Sequence, residues 1–122
     1  MINIRKVFRS FRFAFRGIFD LFLYENNAKV HLVAAVAVVA LGFWLDLSTV
    51  EWAIILSQIG LVWMAEALNT ALEKLADVVS PERHPGIGAA KDMAAGGVLM
   101  VVIMAVVVGL IIFGGRLYAL LF

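Results

Sequence analysis

Between Met93 and Phe113 the chain runs for 21 residues without a charged side chain. A helix needs about 20 such residues to cross the hydrocarbon core of a bilayer. Lipid offers backbone N–H and C=O groups no partner, so a run of this kind must satisfy itself as a helix. Two further stretches follow the same logic. Trp52 to Ala65, continued through Ala67 and Leu68, carries only neutral polar interruptions until Glu66. Val30 to Leu45 is shorter and ends at Trp44, and it is read as a span because it stands beside the other two. With their flanks, the spans are expected over about 29–46, 50–78 and 91–114. Composition agrees. The 122 residues are 64% hydrophobic and 16% charged, against about 45–50% and 25% in soluble domains. So short a chain has no core large enough to hide that surplus, which excludes a soluble enzyme or a disordered tail and argues against a second domain.

The charges then orient the spans. Arg5, Lys6, Arg9, Arg12, Arg16 and Lys29 precede the first; Lys74, Arg83 and Lys91 lie between the second and third. The connection from Asp46 to Glu51 has no cation, and only Arg116 follows the last span, so nine of ten Lys and Arg residues share one side. The positive-inside bias makes that side cytoplasmic, with the N-terminus and the 74–91 stretch on it and the two termini on opposite sides. A net charge of +1 gives no basic field for nucleic acid. The absence of cysteine excludes disulfides, thiolate metal sites and a cysteine nucleophile. No small-residue cleavage site follows the N-terminal cations, so that segment is read as mature protein.

The N-terminal stretch, about 3–23, has a helical pattern of its own. Arg5, Arg9, Arg12 and Arg16 fall within about 60° of one another on a helical wheel. Ile4, Phe8, Phe11, Phe15, Ile18, Phe19 and Phe22 occupy the neighbouring arc. Aromatic rings beside guanidinium groups suit a helix lying on the membrane surface, although an aromatic stripe packed on other helices fits the same pattern. From Ser80 to Gly88 two prolines and two glycines are expected to break the helix.

The second span leaves the membrane through a polar row. Glu66, Asn69, Glu73 and Asp77 are spaced by three, four and four residues, which places them within about 80° on one helix face. Leu68, Leu72, Leu75 and Val79 take the other face. A carboxylate at membrane depth is costly, and several in one row repel one another. Something cationic must offset this: the ammonium of Lys91 or Lys74, or a divalent ion. Oxygen donors alone suit Mg²⁺ better than zinc, with water and phosphate filling the rest of its shell. The plainer alternative is a solvated helix face tied together by ion pairs. Glu25, at the junction before the first span, carries little weight alone. Asp92 with Lys91 reads as an N-terminal helix cap or as a nucleotide contact. His84 reads as an exposed loop residue, and His31 as a hydrogen-bonded structural one. There is no P-loop and no dinucleotide fingerprint.

Glu66, Asn69, Thr70, Glu73 and Asp77, followed by Ala90, Lys91 and Asp92, reproduce the pattern Glu-x-x-Asn-Ser/Thr-Ala-x-Glu-x-x-x-Asp with a later Ala-Lys-Asp. In this the chain resembles the small prokaryotic membrane lipid kinases, which comprise diacylglycerol kinases and their undecaprenol kinase relatives. Arg16, Gly17, Glu25 and Trp44 to Asp46 extend the likeness over nearly the whole chain. The resemblance implies an all-α integral membrane protein forming a single lipid-kinase domain over residues 1–122. Three transmembrane helices and an N-terminal amphipathic surface helix would assemble as a homotrimer with sites shared between protomers.

By the same resemblance Glu66 is the general base, Glu25 and Glu73 hold Mg²⁺ against the phosphates of ATP, and Asn69 and Asp77 are polar members of the site. Lys91 and Asp92 engage nucleotide, and the stretch with His84 and Gly88 lies over the adenosine part. The substrate implied is a membrane lipid alcohol in the prokaryotic cytoplasmic membrane. Glu25, Asn27 and His31 keep the Glu-x-Asn-x-x-x-His pattern of the undecaprenol branch, and His84-Pro85 resembles it too. Trp44 to Asp46 and Lys91 to Met93 look like the diacylglycerol branch. The reading therefore leans to undecaprenol, with diacylglycerol as the alternative. A reading from another class, a non-enzymatic oligomer or cation pathway, predicts ionisable residues deeper in the spans; the third span has none between Met93 and Phe113.

Overall fold

Where each helix starts and stops follows from a few capping residues. The structure is a computed structural model describing residues 1–122, all helix and short connections: α1 (Ile4–Tyr24), α2 (Asn26–Trp44), α3 (Thr49–Val79) and α4 (Pro85–Leu121). The Asn3 side chain accepts the N–H of Lys6 at 3.2 Å and opens α1. A single extended residue, Glu25, separates α1 from α2. Its N–H donates to the Leu21 carbonyl and its own carbonyl accepts from Lys29, both at 3.1 Å.

The turn from α2 to α3 is tighter. Asp46 takes a left-handed conformation with φ of 56°, the Leu47 N–H donates to the Gly42 carbonyl, and the Asp46 N–H to that of Phe43. That pairing is a Schellman stop. Ser48 then caps α3 reciprocally: its hydroxyl accepts the Glu51 N–H at 3.2 Å, while the Glu51 carboxylate accepts the Ser48 N–H at 2.9 Å. Leu45, Leu47, Ile55 and Phe113 form the largest buried apolar cluster beneath this turn, with Trp52 and Leu117 against it.

The four helices correspond to the expected elements, with shifts at their ends. The largest is in α4, which begins at Pro85 rather than near residue 91 and runs on to Leu121. Proline suits the first helical position because its missing N–H would have had no partner there. The break between α3 and α4 is therefore only Ser80 to His84, and Gly86 and Gly88 lie inside the helix. Asp92 is two turns in and cannot be the cap; His84 is, its Nδ1 accepting the Gly86 N–H at 3.1 Å.

Helices α3 and α4 form an antiparallel hairpin pinned by an ion pair near each end. Asp77 meets Lys91 at 2.8 Å, and Glu51 meets Arg116, whose Nε donates to both carboxylate oxygens at 3.0 and 3.2 Å. The C-terminal part of α1 packs on the same chain, with Leu21 buried and Phe22 meeting the Trp63 ring edge-on at 5.2 Å. Only 13 of 122 residues are buried, and large apolar side chains stand exposed along α2, α3 and α4. These three helices are each long and apolar enough to cross a membrane, so the exposed surface faces lipid or other protein and not water.

Candidate active site on the polar end of α3

Helix α3 has 31 residues and so measures about 46 Å, well beyond the roughly 30 Å of a hydrocarbon core. Glu66 lies about 26 Å along it from Thr49. With the Ser48 cap at one membrane boundary, Glu66 falls just inside the other. The residues beyond it project past the apolar layer.

The expected row is present, and its members differ sharply in burial. Glu66 is 3% exposed and Asn69 7%; Glu73 is half-buried and Asp77 exposed. Burial thus declines along the row as the helix leaves the membrane, so the deepest carboxylate carries the largest desolvation cost. Each acid has one partner. Glu66 Oε2 lies 3.6 Å from His31 Nε2 of α2. The Asn69 amide donates to Glu73 Oε1 at 3.3 Å. The Lys91 ammonium donates to Asp77, and Lys74 reaches Glu25 at 3.4 Å. Both lysines considered as counter-charges are therefore used, Lys74 at the hinge glutamate.

The Asn69 carbonyl oxygen Oδ1 is buried without a partner. Such an atom costs about 1–3 kcal/mol unless a ligand supplies a donor or a positive charge. Asn69 Oδ1, Glu73 and Glu66 are all hard oxygen donors, and that chemistry fits Mg²⁺. No three acidic or imidazole side chains converge closely enough to hold a metal by themselves. The protomer thus offers a partial shell, which suits an ion that takes its remaining oxygens from phosphate and water. Glu25 pairs with Lys74 beside the α1–α3 cleft, and Glu73 accepts from the Asn69 amide. Asp92 is exposed and has no polar partner. His84 caps α4 and Gly88 lies in its first turn, at the same end of the α3–α4 hairpin as the Asp77–Lys91 pair.

Two cavities flank the row. A cleft of about 610 Å³ between α1 and α3 is bordered by Asp20, Tyr24, Glu25, Thr70 and Lys74. An apolar cavity of about 390 Å³ among α2, α3 and α4 has His31 at its polar end and Phe113 at the other. Thr70 and His31 were not singled out as site residues from the sequence. Thr70 stands next to Asn69 and is itself buried, a polar side chain that its position beside the row could have flagged. His31 is paired across helices, and no spacing within one helix reveals such a contact.

A family model described as prokaryotic diacylglycerol kinase matches residues 12–113. The chain is similar to an undecaprenol kinase of Bacillus subtilis (strain 168), with 41% identity over 91% of this chain and 90% of the relative. It is similar to a diacylglycerol kinase of Synechocystis, with 39% identity over 82% of this chain and 58% of that protein. A diacylglycerol kinase of Escherichia coli (strain K12) is 28% identical over 84% of both chains.

Proposed function

Because the chain belongs to the prokaryotic diacylglycerol kinase family, and so is a lipid kinase of the membrane, we propose that it transfers the γ-phosphoryl group of ATP to undecaprenol, giving undecaprenyl phosphate. The single observation that carries the site assignment is the buried end of the α3 row, where Glu66 is almost wholly buried and Asn69 Oδ1, one turn further on, is buried without a partner. The undecaprenol choice rests on the Bacillus subtilis relative, which covers most of both chains. Diacylglycerol remains the second reading because other relatives carry that name. The cation-pathway alternative is set aside with the family.

The lipid hydroxyl reaches the headgroup level from the bilayer while ATP arrives from the cytoplasm. Glu66 accepts the hydroxyl proton as the acceptor oxygen bonds to the γ-phosphorus and the bridging oxygen leaves with ADP. Phosphoryl transfer of this kind depends on in-line positioning and on neutralising phosphate charge, with no covalent intermediate on the protein. Glu25 and Glu73, with Asn69 Oδ1, are the residues that would hold Mg²⁺. When bound, the ion neutralises phosphate charge and orients the triphosphate. Lys91 has three N–H donors, so it can keep Asp77 and still donate to a phosphate. Asp92, His84 and Gly88, at the start of α4, would border the rest of the nucleotide. The whole chain is one lipid-kinase domain, α1 lies on the cytoplasmic face of the inner membrane with the 74–91 stretch, and three protomers share their sites.

The test is transfer of labelled γ-phosphate in detergent with undecaprenol, diacylglycerol and ceramide offered side by side. Undecaprenol should be labelled fastest; faster labelling of diacylglycerol would reverse the substrate choice. Glu66→Gln should lower kcat about a hundredfold or more while ATP affinity stays unchanged. Equal losses in turnover and ATP binding would contradict the base assignment.

A further inference from the structure

Glu66 is almost wholly buried, yet no side chain or backbone group of the protomer gives it a hydrogen bond. A buried carboxylate without a hydrogen bond is costly, and nothing fixes which way its oxygens point. The cations that might have served it are engaged elsewhere: Lys91 with Asp77, Lys74 with Glu25, and Arg116 with Glu51 at the far end of the hairpin. What remains within reach is His31, whose Nε2 lies 3.6 Å from Oε2. His31 stands in the second turn of α2 and is itself mostly buried, its side chain 19% exposed. It also borders the apolar cavity that runs between α2, α3 and α4 toward Phe113. The imidazole therefore borders the apolar cavity while its Nε2 faces the carboxylate.

We infer that His31 is the positioning residue for Glu66: its Nε2–H donates to Oε2 when substrate is bound, leaving Oε1 free to accept the hydroxyl proton. The assignment rests on the base role proposed for Glu66. The separation is slightly longer than a hydrogen bond, and contacts of this kind tighten in the substrate complex. A neutral imidazole carries its N–H on one nitrogen only. With Nε2 as donor, Nδ1 is left as an acceptor. Donation to one oxygen rotates the carboxylate and fixes which lone pair faces the acceptor. Fixing the base within a fraction of an ångström governs turnover more than binding, because misplacement is felt in the reacting geometry.

Two experiments on the full chain test this. The protein has two histidines, His31 and His84, so ring ¹⁵N signals from histidine-labelled protein can be assigned by removing one. Glu66→Gln should shift the His31 ring signals and leave those of His84 in place; an unmoved His31 signal overturns the contact. In the kinetic arm, His31→Leu should lower kcat about ten- to a hundredfold with the KM for ATP unchanged. His31→Gln, which restores an N–H donor at similar length, should recover most of the loss. Wild-type kcat in His31→Leu, a change confined to the KM for lipid, or a His31→Gln enzyme no better than His31→Leu would each overturn the inference. Failure of the underlying base assignment looks different, since Glu66→Gln would then keep its turnover whatever the His31 variants do.

Discussion

At Gly42 the Trp52 and Leu47 side chains press so closely on α2 that a Cβ would stand 2.7 Å from Trp52 Cη2 and 3.1 Å from Leu47 Cδ1. Both neighbours are wedged in the cluster under the α2–α3 turn, so neither can retreat freely. Overpacking of this kind costs about 1–3 kcal/mol. Gly42→Ala should therefore lower the melting temperature followed by tryptophan fluorescence, while kcat with undecaprenol changes little because the site is at the other membrane boundary. An unchanged melting temperature would contradict the packing described at Gly42. The sequence says only that a glycine precedes Trp44; that it faces Trp52 depends on how two helices cross. The same limit applies at Glu66 and His31, which are 35 positions apart in the chain. By contrast Glu66, Asn69, Glu73 and Asp77 were legible as a set because they belong to one helix, whose period is known in advance. Asp92 was misjudged as a possible cap because the apolar run marks where a span is hydrophobic, not where its helix begins.

The elements behave as levers of defined length. Helix α3 is about 46 Å long, with the Ser48–Glu51 cap fixing one end and the acids of the row carried towards the other. Glu51 has two tasks there, accepting the Ser48 N–H and pairing with Arg116 of α4. Losing the cap hydroxyl in Ser48→Ala should cost about 1 kcal/mol. Glu51→Ala removes both the return half of the cap and the tie to α4, so its thermal destabilisation should be the larger of the two. If Ser48→Ala proves as damaging as Glu51→Ala, the link to Arg116 adds nothing to the hairpin. The three spans were readable from apolar run length and from the cations that flank them. Their ends were not, since Pro85 as a helix start competes with the usual reading of proline as a breaker. The expected break shrank to five residues for that reason.

A protomer of 13.3 kDa folded as a globule would expose about 6,500 Å², and this one exposes 9295 Å². Large apolar side chains stand exposed along α1 as well as along the spans, where lipid and neighbouring copies can cover them. The site has the matching deficit. It holds acids in separate pairs, Glu66 with His31, Asp77 with Lys91 and Glu25 with Lys74, and no three of them close on a metal. A triphosphate with its cation needs more contacts than those pairs provide. In the trimer proposed above, a second copy would provide them where protomers meet. If α3 of one protomer works with α4 of its neighbour, then Glu66→Gln and Lys91→Ala chains, each inactive alone, should complement when unfolded, mixed and refolded together. Random association would place an intact Glu66 chain beside an intact Lys91 chain at roughly a quarter of the sites. Activity should appear in the mixture at about that fraction of wild type. A mixture as inactive as its parents would mean that both residues of a site come from one chain, as the Asp77–Lys91 pair within the protomer would then require.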